Sequence, residues 1–320
     1  MRKTICFVLA ALLLLPGLSG CGTGKESAPR LTVVAATYPI YLFACAVTGG
    51  VEGVEVERLN TGSVSCLHDY TLSVDDMKKL ERADVIALNG AGLEDFMEDA
   101  LASSRAAVVD CSAGVELLEN LSHSHEEGDE GGHDHGHWDP HYWMAPDNAA
   151  IMVENLQAGM SQADPDHQEQ YQNNALDAAD RLQDFSVLAR ETLAASLKEG
   201  GVEVGGLITF HDGFQYFAQA FDLPLLAAIE EEAGSEASAK EIVEITGLVE
   251  EYQLPVIFTE VNGSDATARA ISRETGCAVS QLTMVMDGPE DGGVDAYCDG
   301  MMSNIAAIVN GFAGEEVVAP

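Results

Sequence analysis

The chain has 320 residues, 47% of them apolar, with 15 Lys and Arg against 53 Asp and Glu and a formal net charge of −38. That length and apolar content describe a folded protein of about two domains. The charge excludes cationic surfaces for nucleic acid or anionic lipid, because so negative a field repels polyanions and gathers cations.

The N-terminus reads Arg2 and Lys3, then an apolar run over 5–15, then Leu18-Ser19-Gly20-Cys21. The run is too short for a bilayer core, which takes about 20 apolar residues, so 1–20 is expected to be an export signal. Its last four residues resemble a lipobox, which makes Cys21 the expected lipidation site and 21–30 a flexible tether to the membrane. The expected location is extracytoplasmic, lipid-anchored to the cell membrane, where disulfides are permitted.

Beyond the tether, short apolar stretches alternate with amphipathic ones. Strands are predicted over 31–37, 54–59, 84–88 and 106–110, with helices such as 74–83 and 93–102 between them. A second set follows, with strands over 204–210, 223–229, 254–259 and 277–282 and helices over 213–221, 239–252, 266–275 and 294–309. Continuous apolar strands separated by helices mean parallel sheets covered on both faces. Between the sets, small or apolar residues recur every three or four positions from Tyr171 to Leu197 after Asp164-Pro165, which predicts one long stiff helix over 167–197. The fold class is therefore α/β with two lobes: an N-terminal lobe over 31–146, a helical connector over 147–199 and a C-terminal lobe over 200–320.

Histidine carries the chemistry. Of nine, six fall between positions 123 and 141. His123, His125, His133, His135 and His137 alternate with carboxylates and glycines in a stretch, 122–137, that has no apolar residue to pack. It is expected to be a mobile loop that collects borderline divalent metals, zinc above all. His141 differs, because Asp139-Pro140-His141-Tyr142-Trp143 has the proline and aromatics to fix a backbone. His68 and His211 each follow a predicted strand and precede a helix, the end of a parallel sheet where ligands bind.

Five segments resemble the extracytoplasmic zinc- and manganese-binding lipoproteins of ATP-driven metal importers, most of all the zinc-specific members. They are Ala36-Thr37-Tyr38-Pro39-Ile40, His68-Asp69-Tyr70-Thr71-Leu72-Ser73, Asp139-Pro140-His141-Tyr142-Trp143, Phe210-His211-Asp212-Gly213-Phe214-Gln215-Tyr216-Phe217 and Val256-Ile257-Phe258-Thr259-Glu260. The resemblance implies two α/β lobes joined by one rigid helix, with metal in the interlobe cleft. It makes His68 and His141 ligands from the first lobe and His211 a ligand from the second. The manganese-selective branch has a carboxylate at the third position, so His211 argues for Zn²⁺ cargo over Mn²⁺, as does the preference of manganese for oxygen.

For the fourth ligand the resemblance offers Asp287, whose flanks depart from the family pattern, or a water. The residue just before the first histidine, a carboxylate in some zinc members, is Leu67 here. The resemblance also pairs Cys277 with Cys298. Cys45, Cys66 and Cys111 remain, with Cys66 positioned either to pair with Cys111 or to approach the metal. The implied partners are a membrane permease of the ABC transporter class, driven by a cytoplasmic ATPase, and the membrane itself through the lipid. Two other classes stay open: a zinc-dependent hydrolase using the same three histidines, which the lack of His-Glu-x-x-His and Gly-x-Ser-x-Gly disfavours, and a surface adhesin.

Overall fold

The computed structural model describes residues 31–61, 67, 70–121, 137–229, 238–261 and 263–319. The signal segment, the tether with Cys21, His68, Cys66 and His123, His125, His133 and His135 lie outside them. Among the described residues no helix is long and apolar enough to cross a membrane.

Two four-stranded, all-parallel sheets form, in the orders β2-β1-β3-β4 and β6-β5-β7-β8. The first uses β1 (Leu31–Ala35), β2 (Val54–Arg58), β3 (Val85–Leu88) and β4 (Ala107–Asp110); the second uses β5 (Leu207–Thr209), β6 (Leu225–Ala228), β7 (Val256–Glu260) and β8 (Ala278–Leu282). All eight fall inside the predicted strand ranges except for one residue, Glu260, which extends β7.

Burial on both faces explains why the central strands are apolar without alternation. In β1, Val33 and Ala35 join the main core while Val34 joins a smaller cluster with Leu80, Ile86 and Met97 beneath α2 (Val74–Arg82) and α3 (Glu98–Ser103). In the second sheet Leu207, Val256 and Phe258 face the main core, and Ile208 and Ile257 face a cluster under α7 (Ala239–Glu251) and α8 (Ala266–Thr275).

The main core runs without a break from one lobe to the other. It is roofed by α1 (Tyr38–Thr48), α4 (Pro146–Ala163), α5 (Gln168–Gly200) and α9 (Gly293–Ala313). Helix α5 has 33 residues, about 50 Å at 1.5 Å per residue, and packs on α1 and α4 of the first lobe and on α9 of the second. It ends where Gly201 takes a left-handed conformation, φ 60°. The long connecting helix expected from sequence is this one. Asp164-Pro165 separates it from α4, which packs on β3 and β4 of the first sheet.

Cys277 and Cys298 are free thiols here, so the expected pairing is not formed. The reason is the sheet between them: Cys277, just before β8, belongs to the cluster under α7 and α8, whereas Cys298 sits on α9 against the main core. Cys45 and Cys111 are also unpaired thiols, and burial raises the Cys111 pKa.

Candidate metal centre

Asp139-Pro140-His141 folds as a tight turn that secures its own histidine. Asp139 Oδ1 accepts from the His141 backbone N–H at 2.9 Å and from the ring Nδ1 at 2.8 Å. The Asp139 carbonyl accepts from Tyr216 Oη at 2.9 Å, and its amide donates to Leu118 O. The chain on either side of His141 is tied to one residue, Asn89. Asn89 Nδ2 donates to Pro140 O at 3.0 Å, and Tyr142 Oη donates to Asn89 O.

Asn89 is itself anchored by Glu94, whose two carboxylate oxygens accept from the backbone amides of Asn89 and Gly90 at 2.7 and 3.0 Å. Gly90 has to be glycine: its φ is +81°, and a Cβ would lie 2.0 Å from Asp110 Oδ1. Burial pushes the Glu94 carboxyl up to about 7, against the lowering by the amides it accepts.

His211 follows β5 and comes from the other lobe. Its carbonyl accepts from Thr209 Oγ1 at 3.0 Å, and its Nδ1 lies 3.5 Å from Glu260 Oε2 at the end of β7. Strands β5 and β7 are adjacent and parallel, so their ends bring histidine and carboxylate side by side. Burial pushes the Glu260 carboxyl up to about 7, opposed by the charge of His141. His141 feels burial as the largest, lowering influence, but its hydrogen bond to Asp139 and the charges of Asp139, Asp212 and Glu260 together outweigh it, and its pKa is raised overall.

The two rings meet at the junction of the lobes. His141 Nε2 and His211 Nε2 are 3.3 Å apart, with ring planes at 82°. The bond from His141 Nδ1 to Asp139 sets that ring to the Nδ1–H tautomer and leaves its Nε2 lone pair facing His211 Nε2, while Glu260 Oε2, 3.5 Å from His211 Nδ1, is buried without a hydrogen bond. Two bare lone pairs that close repel unless a proton or a cation lies between them. Nitrogens bound 2.0–2.1 Å from a tetrahedral zinc stand about 3.3–3.4 Å apart, so the pair already has the spacing of two ligands on one ion. Both histidine side chains are only 13% exposed.

Of the expected ligands, His141 and His211 are brought together and His68 lies outside the described residues. Beside it, Leu67 is buried in the main core. Asp287 is not brought to the pair: Oδ1 accepts from Arg58 Nη2 at 2.8 Å and from the Gly288 amide at 2.9 Å. Among the described residues no three His, Cys, Asp or Glu side chains converge on one point.

His137 stands apart at the foot of the histidine-rich stretch, its Nε2 3.8 Å from Glu119 Oε1, and the Glu119–Trp138 bridge closes that stretch just before Asp139. The carboxylates beside the two rings, Asp139 and Glu260, carried a readable signal, an acid two residues before a histidine and an acid ending an apolar strand. The Asn89–Glu94 brace gave none.

A family profile described as the periplasmic component A of the zinc-uptake complex matches residues 33–311. Zinc-binding lipoprotein AdcA of Streptococcus pneumoniae is 28% identical over 286 residues, covering 88% of this chain and 55% of that protein. The chain thus spans about half the length of such relatives. The high-affinity zinc uptake system protein ZnuA of Bacillus subtilis is 29% identical over 314 residues, 94% of this chain and 95% of that one. Among solved structures, a mutant of the laminin-binding adhesin Lmb from Streptococcus agalactiae superposes with a TM-score of 0.72 at 23% identity, over 88% of this chain and 99% of that one, a likeness of fold.

Proposed function

The chain belongs to the family of periplasmic zinc-uptake component A proteins, and on that premise we propose that it is a carrier that captures Zn²⁺ where its two lobes meet and delivers it to an ABC-type membrane importer. His141 and His211 supply two ligands and His68 a third, with a water completing the tetrahedron. The observation that carries this reading is the 3.3 Å separation of two Nε2 atoms, one from each lobe, with the His141 ring oriented by the buried Asp139 carboxylate and the buried Glu260 carboxylate beside His211. Imidazole nitrogen favours zinc over manganese, which prefers oxygen.

The carrier is held at the outer face of the membrane by lipid on Cys21, and the histidine-rich stretch gathers metal near the site. No reaction is catalysed. Asp139 is hydrogen-bonded to the outer nitrogen of His141 and is occupied in orienting that ring, an arrangement that serves binding. Membership in the family and the names of the zinc relatives support the same reading over adhesion alone.

The test is metal analysis of the purified protein followed by competition between zinc and manganese. One tightly held zinc per chain, displaced by no modest excess of manganese, is expected. Tight manganese with weak zinc would refute the cargo, and turnover of an ester, amide or phosphate substrate that vanishes with the zinc would refute the carrier.

A further inference from the structure

The loop that follows β3 leaves the sheet through three successive left-handed residues, Gly90, Ala91 and Gly92, at φ +81°, +56° and +86°. That conformation costs an alanine energy, so something outside the loop has to hold it. The holder is Glu94, whose two carboxylate oxygens meet the amides of Asn89 and Gly90, five and four residues earlier. Glu94 is 6% exposed, and no cation among the described residues pairs with it. A buried carboxylate satisfied only by backbone amides is costly to keep.

What the loop carries is Asn89, which is fully buried and holds the chain on both sides of His141. Its side chain donates to Pro140 O, and its carbonyl accepts from Tyr142 Oη. A hydrogen-bonded path therefore runs from the Glu94 carboxylate through Asn89 to the backbone of a metal ligand, without touching the imidazole. Asp139 fixes the direction of the ring, whereas Asn89 fixes where the turn stands against the first sheet. The 3.3 Å meeting with His211 needs both.

We propose that Glu94 is a positioning residue for the metal: acting through Asn89, its negative charge holds the His141 turn where Nε2 meets the ligand of the other lobe. The inference rests on the reading of the histidine pair as a zinc site. It also gives zinc binding a second proton linkage. The Glu94 carboxyl lies at about 7, and the groups facing it are Asp110, whose charge raises it further, and the Cys111 thiol and Tyr142 phenol, both kept neutral by burial. The two amides favour the ionised carboxylate, so the brace is complete above about 7 and weakens as pH falls through that value. By reciprocity, zinc bound to the positioned turn lowers the Glu94 pKa.

The experiment measures zinc affinity against a chelator, with zinc salt as the probe, for the full chain, Glu94→Gln, Asn89→Ala and the double variant. Glutamine keeps the shape and one acceptor oxygen but turns an N–H donor toward the second amide. Leu193→Ala, in the buried face of α5 away from the pair, serves as a variant that loses stability alone. At about pH 8, Glu94→Gln is expected to bind zinc about tenfold more weakly, the scale of a lost outer partner of a ligand. On the Asn89→Ala background the same change should cost less than about twofold, and Leu193→Ala should stay within about twofold of wild type. Near pH 6, where wild-type Glu94 is protonated, the Glu94→Gln deficit should shrink to less than about threefold.

A folded Glu94→Gln that binds zinc as tightly as wild type overturns the role of Glu94 and leaves the zinc reading standing. Additive losses in the double variant, an equal loss in Leu193→Ala, or a deficit that persists unchanged near pH 6 also overturn it. If Glu94→Gln does not fold, Glu94→Asp, which keeps the charge but is too short to reach both amides, takes its place; failure of both to fold makes Glu94 a residue of stability and overturns the proposal. Absence of tight zinc in the wild-type chain sinks the zinc reading itself.

Discussion

Replacing Asp139 with Asn isolates the contribution of one buried charge to metal binding. In the wild-type chain the carboxylate is 2% exposed and accepts the His141 Nδ1–H at 2.8 Å, so the metal-facing nitrogen on the far side of the ring is more electron-rich. Asparagine keeps an oxygen for that bond and for the 2.9 Å bond from the His141 backbone, so the ring keeps its direction and loses the charge, together with the long 3.3 Å bond that Asp139 Oδ2 accepts from Gln215 Nε2. A hydrogen bond to a charged group contributes about 1.5–3 kcal/mol against about 1 for a neutral one, and the difference of about 1.4 kcal/mol is about tenfold in zinc affinity. Chelator-competition titration at about pH 7.5, above the ordinary histidine pKa, reads it directly.

The same substitution has a second signature in pH. Asp139 raises the His141 pKa, and a proton on that ring competes with zinc. Removing the charge lowers that pKa, so the variant's disadvantage should narrow toward about pH 5.5, where the wild-type ring holds its proton more firmly. A loss below about twofold at the higher pH, less than 0.5 kcal/mol, would show that the carboxylate does not act through the ring.

His211→Ala should abolish the single tight zinc site, whereas deletion of 122–136 should spare it and remove only weaker additional sites; calorimetric titration separates the two, and loss of the tight site on deletion would contradict the assignment. Acidification should release the metal, because zinc depresses the histidine pKa values in the bound state and its stabilisation fades as pH falls through the free values. Two independent imidazoles of pKa about 6.5 lose about a hundredfold between about pH 7.5 and 5.5 and three about a thousandfold, with the raised pKa of His141 adding to the loss. An affinity curve flat to about pH 5 would mean that carboxylates hold the ion. Peptide mapping without reductant should find Cys277 and Cys298 unlinked, and a joined peptide would require α9 to lie differently on its sheet.

Both sheets and α5 were legible because each depends on a pattern that burial imposes. Strands covered on both faces have to be apolar throughout, and Tyr171, Ala175, Ala178, Leu182, Phe185, Ala189 and Leu193 line one side of α5 in the core. Helix α1 was not legible. Nine of its eleven residues are buried, so it has no polar face and no helical stripe to read.

His141 and His211 stood out because histidine is rare at the ends of apolar strands and turns. Their surroundings did not, since these depend on Asp139 and Glu260, which the fold supplies from a turn and a neighbouring strand. Asp287 shows the limit most plainly. Position in a sequence placed it near the site, and only the three-dimensional structure shows that Arg58, 229 residues earlier, takes its carboxylate.

The central claim, that imidazoles drawn from both lobes hold one zinc ion, is tested most directly by X-ray absorption on protein lacking 122–136 and loaded with one equivalent of zinc. The account predicts a first shell of nitrogen or oxygen at about 2.0–2.1 Å with the outer-ring scattering of three histidines, and one histidine fewer in the His211→Ala variant. A sulfur shell near 2.3 Å, or a spectrum unchanged by the loss of His211, would contradict it.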